Sequence, residues 1–82
     1  MSTPKWVVTE AFPHDDYTIE LSFADGSQRI FDARGLLSEP FFALLNSLPF
    51  FMKAHADCGT VVWNDEIDIA PEHLYENSTV IA

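Results

Sequence analysis

The chain predicts an α+β fold, in which a small antiparallel sheet of about five strands packs on one amphipathic helix. Three observations predict it. Residues 17–24 alternate apolar and polar side chains, Asp25-Gly26 follows as a hairpin turn, and apolar residues at helical spacing occur once, within residues 37–48. Because the strands come in hairpins rather than alternating with helices, we expect the order β-β-β-α-β-β with a C-terminal helical turn.

The first three strands are predicted by side-chain type and by alternation. Residues 5–12 are rich in β-branched and aromatic side chains, and a turn containing Pro13 ends them. The second strand has the clearest period of two, with its apolar side chains on one face: Tyr17, Ile19, Leu21 and Phe23. Residues 28–32 return as the third strand.

The register of this second hairpin stays open at the level of sequence. A two-residue loop sets Leu21 opposite Ile30, whereas one further loop residue sets it opposite Phe31. A slip of one residue exchanges the two faces of a strand, so the pattern does not decide which of Ile30 and Phe31 lies deeper.

The helix is predicted after Gly35. Ser38 is a suitable cap, Pro40 fits the first turn, and Pro49 is expected to end the helix. Five apolar residues then fall on one helical stripe: Leu37, Phe41, Leu44, Leu45 and Leu48.

The last third of the chain predicts another hairpin and a short helix. Residues 50–57 and 60–64 flank a turn at Cys58-Gly59, with Phe51, Val61 and Trp63 expected in the core. A helical turn is predicted to begin at Ala70-Pro71 and to run through Tyr75. We expect a single domain over residues 1–82, with its core in residues 5–76 and a loose tail at 77–82.

The charge balance limits the classes of partner. Thirteen acidic and four basic residues give a net charge of −9, which repels nucleic acid and anionic membranes. The four cations are scattered rather than clustered: Lys5, Arg29, Arg34 and Lys53. The sequence therefore predicts no direct binding to nucleic acid or membrane, and it favours a basic protein partner.

Cellular location is predicted from what the chain lacks. The single Cys58 excludes an internal disulfide, and residues 1–5 are not followed by the apolar run of a signal peptide. The apolar stretches are far shorter than the roughly 20 residues that span a bilayer. We therefore expect a cytoplasmic protein.

The densest group of potential ligands is an acidic loop near the C-terminus, formed by Asp65, Glu66, Asp68, Glu72 and His73. Oxygen-rich groups of this kind bind hard cations, but the spacing does not match an EF-hand loop. The expected role of the four carboxylates is a solvated loop or a protein-contact surface, and no metal or other cofactor is predicted.

Catalysis has little support in the sequence. His55 lies three residues before Cys58, a pairing that in principle lowers a thiol pKa. In a strand and turn, however, this spacing does not direct the two side chains at each other, and no third orienting group is evident. We therefore predict no catalytic residues and no enzymatic activity.

The aromatic residues exceed what one small helix can bury, since Phe42 lies about 100° round the helix from Phe41. Exposed apolar side chains on an acidic domain are typical of a partner or dimer contact. Packing in the core or at its edge is the favoured interpretation of the aromatic residues, and the candidates for a contact are Trp6, Phe42 and Phe50.

The arrangement of elements resembles a bacterial family catalogued as domain of unknown function 2442. The resemblance rests on Phe23-Ala24-Asp25-Gly26, Phe31-Asp32, Leu36-Leu37 and, above all, the segment from Trp63 to Tyr75, and it covers roughly residues 5–76. It implies a small α+β fold with no assigned reaction, cofactor or catalytic residue. Similar domains occur alone or joined to helix-turn-helix modules, which implies a regulatory setting.

The functional expectation is a non-catalytic, acidic protein-interaction module with a basic partner, in a regulatory or antitoxin-like setting. The alternative is a domain that self-associates into a homodimer through a strand edge or the Phe-rich helix. A small-molecule binder or enzyme is the third alternative, for which no phosphate loop or catalytic constellation exists in the sequence.

Overall fold

The computed structural model describes residues 4–64 and 66–82. Within them the chain forms seven strands, two short α-helices and two 3-10 segments. The strands are β1 (Val8–Pro13), β2 (Thr18–Phe23), β3 (Gln28–Asp32), β4 (His55–Asp57), β5 (Thr60–Val62), β6 (Asp68–Ile69) and β7 (Thr79–Val80). The 3-10 segments are Ala33–Ser38 and Pro40–Asn46, and the helices are α1 (Leu48–Phe51) and α2 (Pro71–Asn77). The α+β class is confirmed, with two small antiparallel sheets where one was expected.

The first sheet has the order β1-β2-β3-β7, with antiparallel pairing throughout. The period of two in β2 has the predicted effect, because Ile19, Leu21 and Phe23 are all buried. This face of the sheet supplies one wall of the hydrophobic core.

The turn between β2 and β3 fixes the register that the sequence left open. The Phe23 N–H donates to the Ser27 carbonyl at 3.0 Å, so the loop has three residues and ends at Gly26 with φ +88°. Leu21 is therefore paired with Arg29, and neither of the two predicted pairings is correct. Phe31 is buried and Ile30 is half-buried, so Phe31 lies on the core-facing side of β3.

Part of the predicted loose tail is ordered by the sheet. In β7, Thr79 pairs with Ile30 and Val80 pairs with Arg29. The Ile81 N–H also donates to the Gln28 carbonyl at 2.8 Å. The prediction of a loose segment at 77–82 was wrong here, because β3 offers a sheet edge with which the segment pairs.

The predicted amphipathic helix is instead a run of 3-10 turns. All the buried apolar side chains between residues 33 and 54 lie in one series of every third residue: Ala33, Leu36, Leu45, Phe51 and Ala54. Half-buried Phe42 and Leu48 belong to the same series, whereas half-buried Leu37 and Phe50 lie outside it. In a 3-10 helix, side chains at i and i+3 lie on the same side, so this period buries one stripe. Leu45 is fully buried, whereas Leu44 is 56% and Phe41 57% exposed, although all three belonged to the predicted stripe.

Two prolines divide this segment. Glu39, before Pro40, is extended at φ −83° and ψ 129°, as a residue before proline prefers. Ser47 is also extended, and Pro49 lies in the first turn of α1. Pro49 therefore begins a helix rather than ending one, which is the position in which proline is best tolerated.

The second sheet has the order β4-β5-β6 and contains the second predicted hairpin. Its first strand is shorter than the predicted 50–57, because residues 50 and 51 belong to α1 and only His55–Asp57 pairs with β5. Its two-residue turn has positive φ at Cys58 (52°) and Gly59 (79°), the conformation that tight hairpins require. Phe51, Val61 and Trp63 are buried as predicted, and the indole N–H of Trp63 donates to the Phe51 carbonyl at 3.1 Å.

The side chains of both sheets, the 3-10 segments and α2 form one hydrophobic cluster. The predicted C-terminal helical turn is present as α2, which buries Leu74 and begins with Pro71. In the part of the chain that the structure describes, no helix has the length and apolar character needed to cross a membrane.

Candidate functional site

Two neighbouring hollows lie where the 3-10 segments, β6 and α2 meet, and a third lies beside them on the second sheet. The first two, of about 320 and 380 Å³, share Leu36, Glu39 and His73 and therefore form one groove. We call it the acidic groove and define it by Leu36, Glu39, Phe42, Asp68, Ile69 and His73, with a continuation to Phe31 and Asp32. The third hollow, of about 310 Å³, also borders Asp68.

The acidic groove has an apolar floor and a polar rim. Phe31, Leu36 and Ile69 are buried beneath it, and Phe42 is half-buried with its ring 6.3 Å from that of Trp63. The exposed rim is formed by Glu39, Asp68 and His73. A ligand in the groove therefore meets apolar surface below and carboxylates at the side.

Each rim residue is positioned by backbone pairing. Glu39 links the two 3-10 segments, and its N–H donates to the Leu36 carbonyl at 3.0 Å. Asp68 lies on β6 opposite Val62. His73 lies on α2, with its ring 5.9 Å from that of Phe31 and its carbonyl accepting from the Asn77 side chain at 2.9 Å.

The third hollow, which we call the hairpin hollow, lies on the face of the second sheet opposite the core. It is lined by His55, Asp57, Cys58, Thr60, Val62, Asn64 and Asp68. The Nδ1–H of His55 donates to the Lys53 carbonyl at 2.9 Å, since a carbonyl only accepts. The Thr60 hydroxyl donates to the Ile69 carbonyl, so two of the polar groups are engaged locally.

The hairpin hollow brings His55 and Cys58 to one surface. Cys58 is exposed at the turn, and the imidazole Nδ1 is engaged by backbone. Among the described residues, no three His, Cys, Asp or Glu side chains are arranged to hold a metal ion.

All four cations of the chain are engaged within the molecule. Arg34 forms an exposed ion pair with Asp32 at 2.6 Å, and its hydrogen bonds lower the pKa of that carboxyl to about 2. The ammonium of Lys5 lies 5.8 Å from the centre of the Tyr75 ring, and that of Lys53 lies 5.6 Å from the Phe50 ring. Among the described residues that line the three hollows, there is no lysine or arginine.

The fourth cation, Arg29, is held by contacts that we call the Arg29 clasp, formed with Asp25, Ser27 and Tyr75. Its guanidinium lies 3.8 Å from the centre of the Tyr75 ring and donates to the Tyr75 carbonyl at 2.9 Å. It also lies 3.9 Å from the Asp25 carboxylate. The clasp thereby ties the β2–β3 turn to α2.

The clasp also fixes the ionisation of Asp25. Hydrogen bonds donated by the side chain and backbone of Ser27, and by the Tyr75 hydroxyl, lower the pKa of Asp25 from 3.8 to about 2. The same Asp25 contact raises the pKa of the Tyr75 hydroxyl, because ionising the phenol would remove the donor.

The predicted contact residues are distributed unevenly over this surface. Asp68 and Phe42 line the acidic groove. Glu66 and Glu72 are exposed outside the three hollows, and Trp6 and Phe50 are half-buried. Asp65, the remaining predicted residue, lies outside the described residues.

Several lining residues were missed by the sequence interpretation, and one had a detectable signal. Glu39 occupies the one charged position in the series of every third residue between Ala33 and Ala54. A period of three places it on the same side as Leu36 and Phe42. His73 and Asp57 line different hollows, and the surroundings of each depend on how α2 and the second sheet pack. The sequence carries no local pattern for this packing.

The comparisons with known proteins identify one relationship. A family model described as "Protein of unknown function (DUF2442)" matches residues 8–80. No curated protein and no solved structure matches the chain.

Proposed function

Because the family model matches residues 8–80, the chain belongs to the DUF2442 family, and we propose that this protein is a non-catalytic, acidic module that binds a basic protein partner. The proposed setting is the cytoplasm, as one member of a regulatory or antitoxin-like pair. The binding would use long-range electrostatic attraction for encounter and apolar contact for affinity.

The observation that carries the proposal is the imbalance of charge that remains after internal pairing. Thirteen acidic residues face four basic ones. Both arginines contact carboxylates of their own chain, and both lysines lie over aromatic rings. Excess negative charge therefore remains at the surface, together with a groove that offers apolar contact area to a cationic protein.

The test is purification of the tagged full-length chain from its native host at low ionic strength. We expect a cationic protein to co-purify and to elute as the salt concentration rises, because screening weakens attraction between exposed charges. An unrelated folded protein of similar size and charge is the control for nonspecific retention. A clean monomer, or the same proteins on the control, would contradict the proposal.

Self-association is the second candidate, and one observation favours it. Phe41 and Leu44, one 3-10 turn apart, are each more than half exposed. A symmetric pair of chains would bury these side chains against each other. Sedimentation at several concentrations separates the two candidates, since a homodimer dissociates on dilution and the monomeric module does not change.

A further inference from the structure

We propose that the acidic groove is the docking site for an extended segment of the basic partner, which inserts an arginine or lysine side chain between Glu39 and Asp68. The inference rests on the proposed function and adds the place and the chemistry of recognition. It predicts that binding depends on these two carboxylates more than on the overall charge of the module.

The shape of the groove matches an amphipathic basic side chain. Arginine and lysine lay an aliphatic stem on apolar surface while the charged head stays at the edge. The floor made by Leu36, Phe42 and Ile69 receives the stem. Carboxylates at the rim accept hydrogen bonds from the head, and the planar guanidinium of arginine is suited to two parallel bonds.

The carboxylates of Glu39 and Asp68 are open to a cation from another protein. Asp32, at its far end, already binds Arg34. Glu39 and Asp68 are exposed, and no lysine or arginine is among the residues that line the groove. A cation supplied by another protein therefore completes an arrangement of carboxylates and apolar surface that the chain builds only in part.

The hairpin hollow extends the surface beyond Asp68. It adds a second carboxylate, Asp57, and the half-buried Val62. Because Asp68 borders both hollows, a segment that crosses it contacts both. An extended peptide with a basic residue at every second position suits this layout, since alternate side chains point to the same side and can reach both hollows.

The experiment uses the full chain and a fluorescein-labelled, end-blocked peptide of alternating arginine and leucine, with affinity measured by fluorescence anisotropy. The double variant Glu39→Gln/Asp68→Asn is expected to weaken binding about tenfold. The matched control Glu10→Gln/Glu76→Gln removes the same charge from exposed positions outside the hollows and is expected to weaken binding less than about twofold. A peptide with citrulline in place of arginine keeps the shape without the charge and should not bind.

Three outcomes would overturn the docking site. Equal losses in the two double variants would show that binding follows net charge alone, and the proposed function would still stand. Equal binding of the citrulline peptide would remove the role of the carboxylates. Absence of binding by the unmodified chain would exclude this peptide chemistry, whereas failure of the proposed function itself is judged by the native-host purification. Amide ¹⁵N–¹H spectra of each variant verify the fold.

Discussion

The Arg29 clasp and the acidic groove place similar side chains beside the same helix, α2, yet only the clasp contains its own cation. In the clasp, Asp25 and Tyr75 surround a guanidinium that is bound from several directions. In the groove, Glu39 and Asp68 lie beside Phe42 with no lysine or arginine in the lining. The difference leads us to expect that the clasp stabilises the fold, whereas the groove carboxylates serve a partner.

The comparison is sharpened first in the hydrophobic core, at the 3-10 turn that follows Phe42. Leu45→Ala is expected to lower the free energy of unfolding by about 3 kcal/mol, because a fully buried leucine leaves a cavity. Leu44, the adjacent residue, is 56% exposed, so Leu44→Ala should lower the free energy of unfolding by less than about 0.5 kcal/mol. Urea denaturation of both variants measures the difference. Similar losses would contradict the period of three that forms the groove wall.

The next largest effect is expected in the clasp. Arg29→Ala removes hydrogen bonds to Ser27 and Tyr75 and the contact with the Tyr75 ring, for a loss of about 2 kcal/mol. The matched control is Arg34→Ala, which also removes a carboxylate partner. The Arg34 side chain is 71% exposed against 14% for Arg29, so little change in stability is expected. Thermal unfolding followed by circular dichroism measures the loss of stability in each variant. Equal losses would contradict the expected role of the clasp.

Acid titration tests the clasp in another way. The pKa of Asp25 in the folded protein is about 2, below its ordinary value of 3.8, so folding favours the ionised form. Its contribution to stability is complete above about pH 4 and is lost as the pH falls towards 2. The denaturation midpoint of Asp25→Asn should therefore fall less steeply over this interval than that of the unmodified chain. Parallel curves would show that Asp25 does not contribute.

The smallest effect on stability is expected in the groove. Glu39→Gln/Asp68→Asn should leave the free energy of unfolding within about 0.5 kcal/mol, or raise it, because the chain carries an excess of negative charge. Urea denaturation at low and high salt measures this. A loss comparable with that of Arg29→Ala would mean that the groove carboxylates support the fold, and that the contrast with the clasp is false.

The sequence predicts the hairpins better than the segment that joins them. The alternation in β2 and the Asp25-Gly26 and Cys58-Gly59 turns depend on near neighbours, so their positions follow from local residue types. The turn length after β2 is harder, because Ala24 joins the loop and shifts the pairing of Leu21 by one residue from the nearer prediction.

The 3-10 segment shows why the rest was not predicted. Leu45 and Leu48 belong both to a stripe of period 3.6 and to one of period three, so hydrophobicity alone does not distinguish the two. The extended residues at Glu39 and Ser47 interrupt any continuous helix. The groove was missed because it also requires β6 and α2 to pack beside Glu39 and Phe42, for which the sequence carries no local pattern.

The exposed Cys58 has a practical consequence for measurements on this protein. It is the chain's single thiol and lies at the tip of the β4–β5 turn, on the border of the hairpin hollow. In air, two such thiols form a covalent bond between separate chains, which would resemble self-association in a sedimentation run. A reductant removes this artefact, and a maleimide dye at the same atom would report occupancy of the neighbouring surface without any mutation.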